Sequence, residues 1–241
     1  GESVGSDIVG NDNALIPLVS SANIACGSHG GDSHHTKNAV RIAIENGVAI
    51  GAHPSFPDRE NFGRKHMSMT PNELRDTLMP QLDYLNDIVV KSGGSVAYVK
   101  PHGALYHACA REEKTAEVLM HAVAEFDEGL SILGQTRTVI ETLCLKADVR
   151  FIREAFADRR YLSNGLLQPR TIEGSVLSSE NEIADQALSI ATGKGITIDS
   201  NHTLQVHAES ICVHGDSPQA ILGLKQIRSI FAHNRVVVKS V

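Results

Sequence analysis

Histidine, glycine, aspartate and serine recur together twice in this chain. His29-Gly30-Gly31-Asp32-Ser33 follows the run Ile24-Ala25-Cys26, and His214-Gly215-Asp216-Ser217 follows Ile211-Cys212-Val213. Two more apolar runs end at Ala52-His53-Pro54 and at Lys100-Pro101-His102-Gly103. An imidazole can carry a proton near neutral pH, and its neutral ring nitrogen is a common metal ligand. A carboxylate beside it can fix which nitrogen holds the proton. Lys100 next to His102 adds a fixed positive charge to a proton carrier. The residues expected to do chemistry are therefore His29, Asp32, His53, Lys100, His102 and Asp216. Around them, Asp58, Arg59 and Arg64 follow His53 in a proline-stiffened loop, and Asp158-Arg159 follows another apolar run. Arginines of this kind suit a carboxylate-bearing ligand.

The same histidines bear on metal binding. Two or three of them with a carboxylate would suit zinc or another divalent ion, His29 and His53 being the candidate ligands. No H-x-x-x-H or C-x-x-C pair supports this locally, so the ligands would have to converge in the fold. There is no G-x-x-x-x-G-K-[ST] loop, no G-x-G-x-x-G opening a helix and no G-x-S-x-G elbow. ATP, if consumed, has no standard loop on this chain.

The elements that must position these residues read as alternating strands and helices. A helix opens at Asp32 or Ser33 and stops near Gly47; a buried strand follows over Val48–Ala52. Thr70-Pro71-Asn72-Glu73 has the form of a capping box with proline in the first turn, starting a helix to Lys91 with Pro80 as an expected kink. Strands are expected at Ser95–Val99, Leu130–Leu133, Val149–Phe156, Ser210–Val213 and Val236–Val238. Helices are expected from about Arg111 to Phe126, Thr138 to Leu145, Ser179 to Ala191 and Ser217 to His233. Ile196–Val206 reads as a hairpin, and Ala157–Leu177 as a long polar loop of the kind that often carries function.

Such alternation implies an α/β protein with a parallel sheet and crossover helices. Polar clusters at five or more strand ends favour a barrel, in which all strand C-termini ring one mouth. With no linker or composition shift, residues 1–241 read as one domain, a single distorted (β/α) barrel of about seven parallel strands.

Composition narrows the function. The 241 residues are 41% hydrophobic and 21% charged, with net charge −6, which offers no basic footprint for nucleic acid or anionic membrane. No apolar run approaches the roughly 20 residues of a membrane helix, and no secretory leader is visible. Four cysteines without paired spacing read as reduced thiols in a cytoplasmic protein.

These motifs resemble the LamB/YcsF family, the A-type subunits of 5-oxoprolinase, along nearly the whole chain. The resemblance lies in Val19–Gly27, His29, Gly31-Asp32, Gly51-Ala52-His53-Pro54, Lys100–Tyr106, Phe156–Arg159 and Cys212–Asp216, with Gly1-Glu2-Ser3 and Gly10-Asn11-Asp12 similar to the family's opening. The family's first strand, Asp-Leu-Asn-x-Asp, would precede residue 1. Ser28 and Gly30 stand where the family more often has Phe and Ala. The resemblance implies a barrel related to the polysaccharide deacetylases and a hydrolase acting on a cyclic amide. That activity is the ATP-dependent opening of 5-oxoproline to L-glutamate, shared with two partner subunits of B and C type. It adds Asn23, Arg64, Tyr106, Asp158, Arg159 and His214 as substrate-binding residues. On this view ATP is a co-substrate of the complex, a partner activates the lactam, and Lys100 or Arg159 holds a carboxylate or phosphate. His102 or His53 would be the general base, with Asp32 or Asp216 orienting an imidazole. A homo-oligomer is compatible with it. The alternatives are a metal-dependent deacetylase or amidohydrolase, and a non-catalytic binding subunit.

Overall fold

The computed structural model describes residues 2–5, 9–199, 202–217 and 219–240. In chain order the first elements are α1 (Asp12–Leu15), a 3-10 turn (Ile16–Leu18), β1 (Ser21–Ala25), α2 (Ser33–Glu45), β2 (Ala49–His53), α3 (Pro71–Lys91) and β3 (Val96–Val99). Then come α4 (Gly103–Arg111), α5 (Glu113–Phe126), β4 (Ser131–Gln135), α6 (Val139–Lys146) and β5 (Phe151–Phe156). The chain continues through α7 (Glu180–Ala191), β6 (Ile196–Asp199), β7 (His202–Leu204), β8 (Ser210–Cys212) and α8 (Ala220–His233).

The fold is α/β. One sheet has six strands in the order β1-β2-β3-β4-β5-β8, and the registered pairs β1–β2, β2–β3, β3–β4 and β5–β8 are all parallel. The chain divides into two compact units, one running through Ile152 and the other spanning Arg153–Lys239.

In the first unit, α3 shows how local chemistry sets an element. Thr70 Oγ1 accepts from the Glu73 N–H, and Glu73 Oε2 accepts from the Thr70 N–H at 2.8 Å, completing the capping box. Leu74, Leu78, Leu82, Leu85 and Val89 repeat at helical spacing and are buried. They join Val40, Leu105, Leu119, Val123 and Ile132 in one core. The helix continues through Pro80 to Lys91.

In the second unit, Ile183, Ala184 and Ala187 of α7 pack with Ile227 and Phe231 of α8, and Ala157 and Leu177 complete that core. The expected hairpin is the antiparallel pair β6–β7; its turn residues Ser200 and Asn201 lie outside the described residues.

Two expectations change. Among the described residues six strands stand in the parallel sheet where about seven were expected, because Val236–Val238 forms none: Val237 and Val238 are exposed, and three β-branched residues make no strand without a neighbour to pair with. The helix expected from about Arg111 to Phe126 is α5, and an unexpected helix, α4, precedes it from Gly103, with extended backbone at Glu112 separating the two. Ala104, Leu105, Ala108 and Cys109 of α4 form a buried helical stripe.

Candidate active site

Three histidines meet in the first unit. His29 follows β1, His53 ends β2 and His102 caps α4 just beyond β3; all are buried. Because β1, β2 and β3 are parallel neighbours, their C-terminal ends lie together. The rings of His29 and His102 stack at 3.8 Å with 3° between their planes, and His53 stands edge-on to His102 at 4.9 Å.

The hydrogen bonds assign the tautomers. A carbonyl oxygen can only accept, so His53 Nδ1–H donates to the Lys100 carbonyl at 2.6 Å. In the same way His102 Nε2–H donates to the Phe62 carbonyl at 2.9 Å. The remaining nitrogens, His53 Nε2 and His102 Nδ1, are 3.1 Å apart, and in the neutral rings both carry lone pairs. Neither nitrogen of His29 makes a hydrogen bond to another of the described residues. Glu2 completes the cluster, with Oε1 at 3.6 Å from His29 Nε2 and 3.8 Å from His102 Nδ1. Ligand atoms of Glu2, His29 and His102 all lie within 4.8 Å of one another.

Electrostatics favours the ligating forms. Burial, then the charges of His29 and Arg64, push His102 down to about 3. Burial and the charges of His102, Lys100 and His29 hold His53 well below its usual value. Burial would raise Glu2, but His29 and the other two histidines outweigh it, and the carboxyl is held well below the usual range.

The loop after His53 is built to let these rings approach. Gly63 has φ +65°, and a Cβ there would sit 2.9 Å from His29 Cβ and 3.0 Å from His102 Cδ2. Gln81 of α3 clamps the loop through its amide: Nε2 donates to the Ser55 carbonyl at 2.9 Å, and Oε1 accepts from the Ser55 N–H at 3.0 Å. Gly30 also matters, since a Cβ there would lie 2.7 Å from the Glu2 carbonyl oxygen.

The other first-unit candidates take varied places. Lys100 is buried with Nζ 5.7 Å from the Tyr106 ring centroid. Arg64 is exposed and lies 5.1 Å from the Phe62 ring. Asn23 Oδ1 accepts from the Tyr98 hydroxyl at 2.9 Å. Asp32 caps α2, accepting from the His34 and His35 N–H groups and from the Gly5 N–H at 2.7 Å. Its carboxylate is occupied by backbone and by His35, so it orients none of the three clustered rings. Asp58 accepts from Asn61 and from the Lys65 N–H, and Arg59 donates to the Gly27 and Gly31 carbonyls; these two hold loops together.

The second unit has its own polar group. His214, beyond β8, donates from Nδ1–H to the Asp158 carboxylate at 2.9 and 3.0 Å, and its backbone N–H donates to Asp158 Oδ2 at 2.8 Å. The Phe156 ring lies against the imidazole at 5.5 Å. Burial would raise Asp158, but His214 and Arg170 keep its carboxyl below the usual value. Arg159 is 2% exposed and donates to the Gln168 carbonyl. Gln186 of α7 donates Nε2 to the carbonyls of Phe156, Ala157 and Arg159, the same clamping device as Gln81. Asp216 lies exposed in a turn, and the carboxylate that orients His214 is Asp158.

Glu2, Gly63, Gln81 and Gln186 were not among the sequence candidates. Only Glu2 carried a signal, through its place in the opening segment; an isolated helical glutamine has none.

A parallel-sheet α/β protein with histidines and a carboxylate gathered at strand C-terminal ends is the class that fold and site define. The chain belongs to the LamB/YcsF family, whose model matches residues 1–241. It is 41% identical over 240 residues to a protein of Nocardia farcinica named as the A-type subunit of 5-oxoprolinase, covering 100% of this chain and 96% of that protein. The solved lactam utilization protein of Thermus thermophilus matches with a TM-score of 0.93 and 37% identity, over 100% of this chain and 96% of that one. A solved protein of Enterococcus faecalis V583 named for cellobiose-phosphate cleavage shares the fold alone, with a TM-score of 0.55 at 12% identity over 95% of this chain and 91% of that one. No helix among the described residues is long and apolar enough to cross a membrane.

Proposed function

We propose that this chain is one subunit of an ATP-dependent 5-oxoprolinase and that its histidine cluster holds a divalent metal ion used in hydrolytic opening of the lactam ring. The observation that carries the metal is the pair His53 Nε2 and His102 Nδ1: two ring lone pairs 3.1 Å apart repel unless a cation or a shared proton lies between them. Their depressed proton affinity disfavours the shared proton and suits them poorly to the role of general base. Glu2, His29 and His102, with His53 alongside, are a nitrogen-and-carboxylate donor set suited to zinc or a similar ion. Such an ion supplies Lewis acidity toward a carbonyl or water.

The chain's own groups do the rest. The Lys100 and Phe62 carbonyls hold the two rings in the tautomers that present lone pairs. Lys100, whose charge already acts on His53, stabilises negative charge developing on the lactam oxygen. A five-membered lactam is a stable amide, so ATP is spent, in the cytoplasm and on partner subunits of B and C type, to activate it. The name of the Nocardia relative supports both substrate and subunit role.

The test is 5-oxoproline turnover by the full chain mixed with its partner subunits and ATP, with metal content measured in parallel. Glutamate should form only with the partners present and should be lost on chelation. Turnover by this chain alone, without ATP, would make it a self-sufficient amidohydrolase. Full activity of a His102→Ala variant in the complex would make it a binding subunit.

A further inference from the structure

Asp32 orients none of the clustered rings, yet both of its carboxylate oxygens are engaged. Oδ1 serves the helix, accepting from the His34 and His35 N–H groups at 2.9 Å each and from His35 Nδ1–H at 3.0 Å. Oδ2 accepts instead from the Gly5 N–H at 2.7 Å, 27 residues back in the chain. That bond is the largest influence holding the Asp32 carboxyl below its usual range. A helix cap needs one acceptor oxygen, so capping does not account for the Gly5 contact.

Gly5 belongs to the segment that carries Glu2. The Glu2 carbonyl accepts from the Gly31 N–H at 3.0 Å, so the segment Glu2–Gly5 is stitched at both ends to the Gly31-Asp32 corner. Between the two stitches Ser3 is buried, and its Oγ accepts from the Val9 N–H at 2.9 Å. From this segment the Glu2 side chain brings Oε1 to 3.6 Å from His29 Nε2 and 3.8 Å from His102 Nδ1. One short stretch, His29-Gly30-Gly31-Asp32, thus carries a histidine of the cluster and both groups that dock the segment bearing its carboxylate.

We propose that Asp32 is a positioning residue: its Oδ2 holds the Glu2–Gly5 segment so that the Glu2 carboxylate reaches His29 and His102. Its use to the site rests on the metal reading above. The Gly31 bond fixes one point about which the segment can swing, and the Asp32 bond supplies the second. A ligand docked before the ion arrives loses little further freedom on binding it, so this contact raises metal affinity without touching the ion.

Asp32→Asn tests the role. The amide keeps an oxygen for the helix cap, which asparagine serves about as well as aspartate, and sets its NH₂ group against the Gly5 N–H. Zinc affinity of the full chain, measured by competition with a chromophoric chelator, should fall about 10–100-fold in Asp32→Asn. In a Glu2→Ala background the same substitution should cost less than about twofold, because the group it positions is gone. In the metal-free chain an NOE between the Glu2 side chain and the His29 ring should be present in wild type and lost in Asp32→Asn. Asp32→Ser, whose hydroxyl can cap α2 but is too short to reach Gly5 as well, should give the same results and serves if the asparagine variant fails to fold. An equal loss of affinity in both backgrounds, undiminished affinity, an NOE missing from wild type or one that survives in the variants would each overturn the role. Should the wild-type chain bind no zinc, the metal reading falls, while loss of the NOE still supports placement of Glu2 by Asp32 and its survival refutes it.

Discussion

His53 and His102 face each other through Nε2 and Nδ1 at 3.1 Å, each presenting a lone pair because its other nitrogen is tied to a backbone carbonyl. Two such lone pairs repel each other, and the divalent ion proposed above would relieve that repulsion.

The first prediction concerns that cation. The chain should bind about one equivalent of zinc, manganese or cobalt, measured by plasma mass spectrometry after dialysis. His102→Ala should lose more affinity than the roughly 10–100-fold that outer-shell partners cost. Identical metal content in wild type and His102→Ala would refute the assignment.

Gly63 should tolerate no side chain. Alanine there would need φ +65° and would press its Cβ into His29 and His102. Gly63→Ala should cost roughly 1–3 kcal/mol in urea unfolding and reduce metal binding, whereas a surface glycine with open space around it, Gly174, is constrained by φ alone. Unchanged metal affinity in Gly63→Ala would show that the rings do not need this close approach.

Asp158 links stability to acid pH. Its carboxyl is held below the ordinary value of 3.8 in the folded chain, so it contributes stability above the unfolded value and loses it as pH falls through the lower, folded one. Asp158→Asn should therefore be less stable than wild type by roughly 1–3 kcal/mol at neutral pH. The difference should shrink as pH drops below 3.8. A gap that stays constant down to the acid transition would contradict the role of the Asp158 carboxylate as acceptor from His214.

Native thiol reactivity should be low. Burial pushes the Cys26 thiol up to about 12 and Cys144 to about 11, and raises Cys109 further. At about pH 8 iodoacetamide should leave these three unmodified and label Cys212, which is only part-buried, while all four react in denaturant. Rapid native labelling of Cys26 by peptide mapping would overturn this.

Much of the architecture is local chemistry that can be read along the chain. Thr70-Pro71-Asn72-Glu73 states its capping box outright, and the spacing of Leu74, Leu78, Leu82, Leu85 and Val89 states the buried face it begins. His29, His53 and His102 could be picked out because each follows an apolar run, and a parallel sheet places such positions at one end of adjacent strands. Val236–Val238 misled because strand propensity counts only beside a partner strand, and that partner is a property of the fold.

What the tertiary structure decided is which polar groups meet. Asp32 and Asp58 look like chemistry in sequence, but backbone donors only a few residues away or brought in by folding consume their oxygens. Glu2 reaches the histidines across Gly30, and Gln81 and Gln186 reach strand-end loops from helices far along the chain. Asp158, and not the nearer Asp216, orients His214. The sequence by itself determined the elements and the residue types at their ends, because capping, periodicity and burial act over a few residues. Pairing between those ends, the tautomers it imposes and the lone pairs it leaves facing each other depend on distances set by the packed sheet, and no local pattern encodes them.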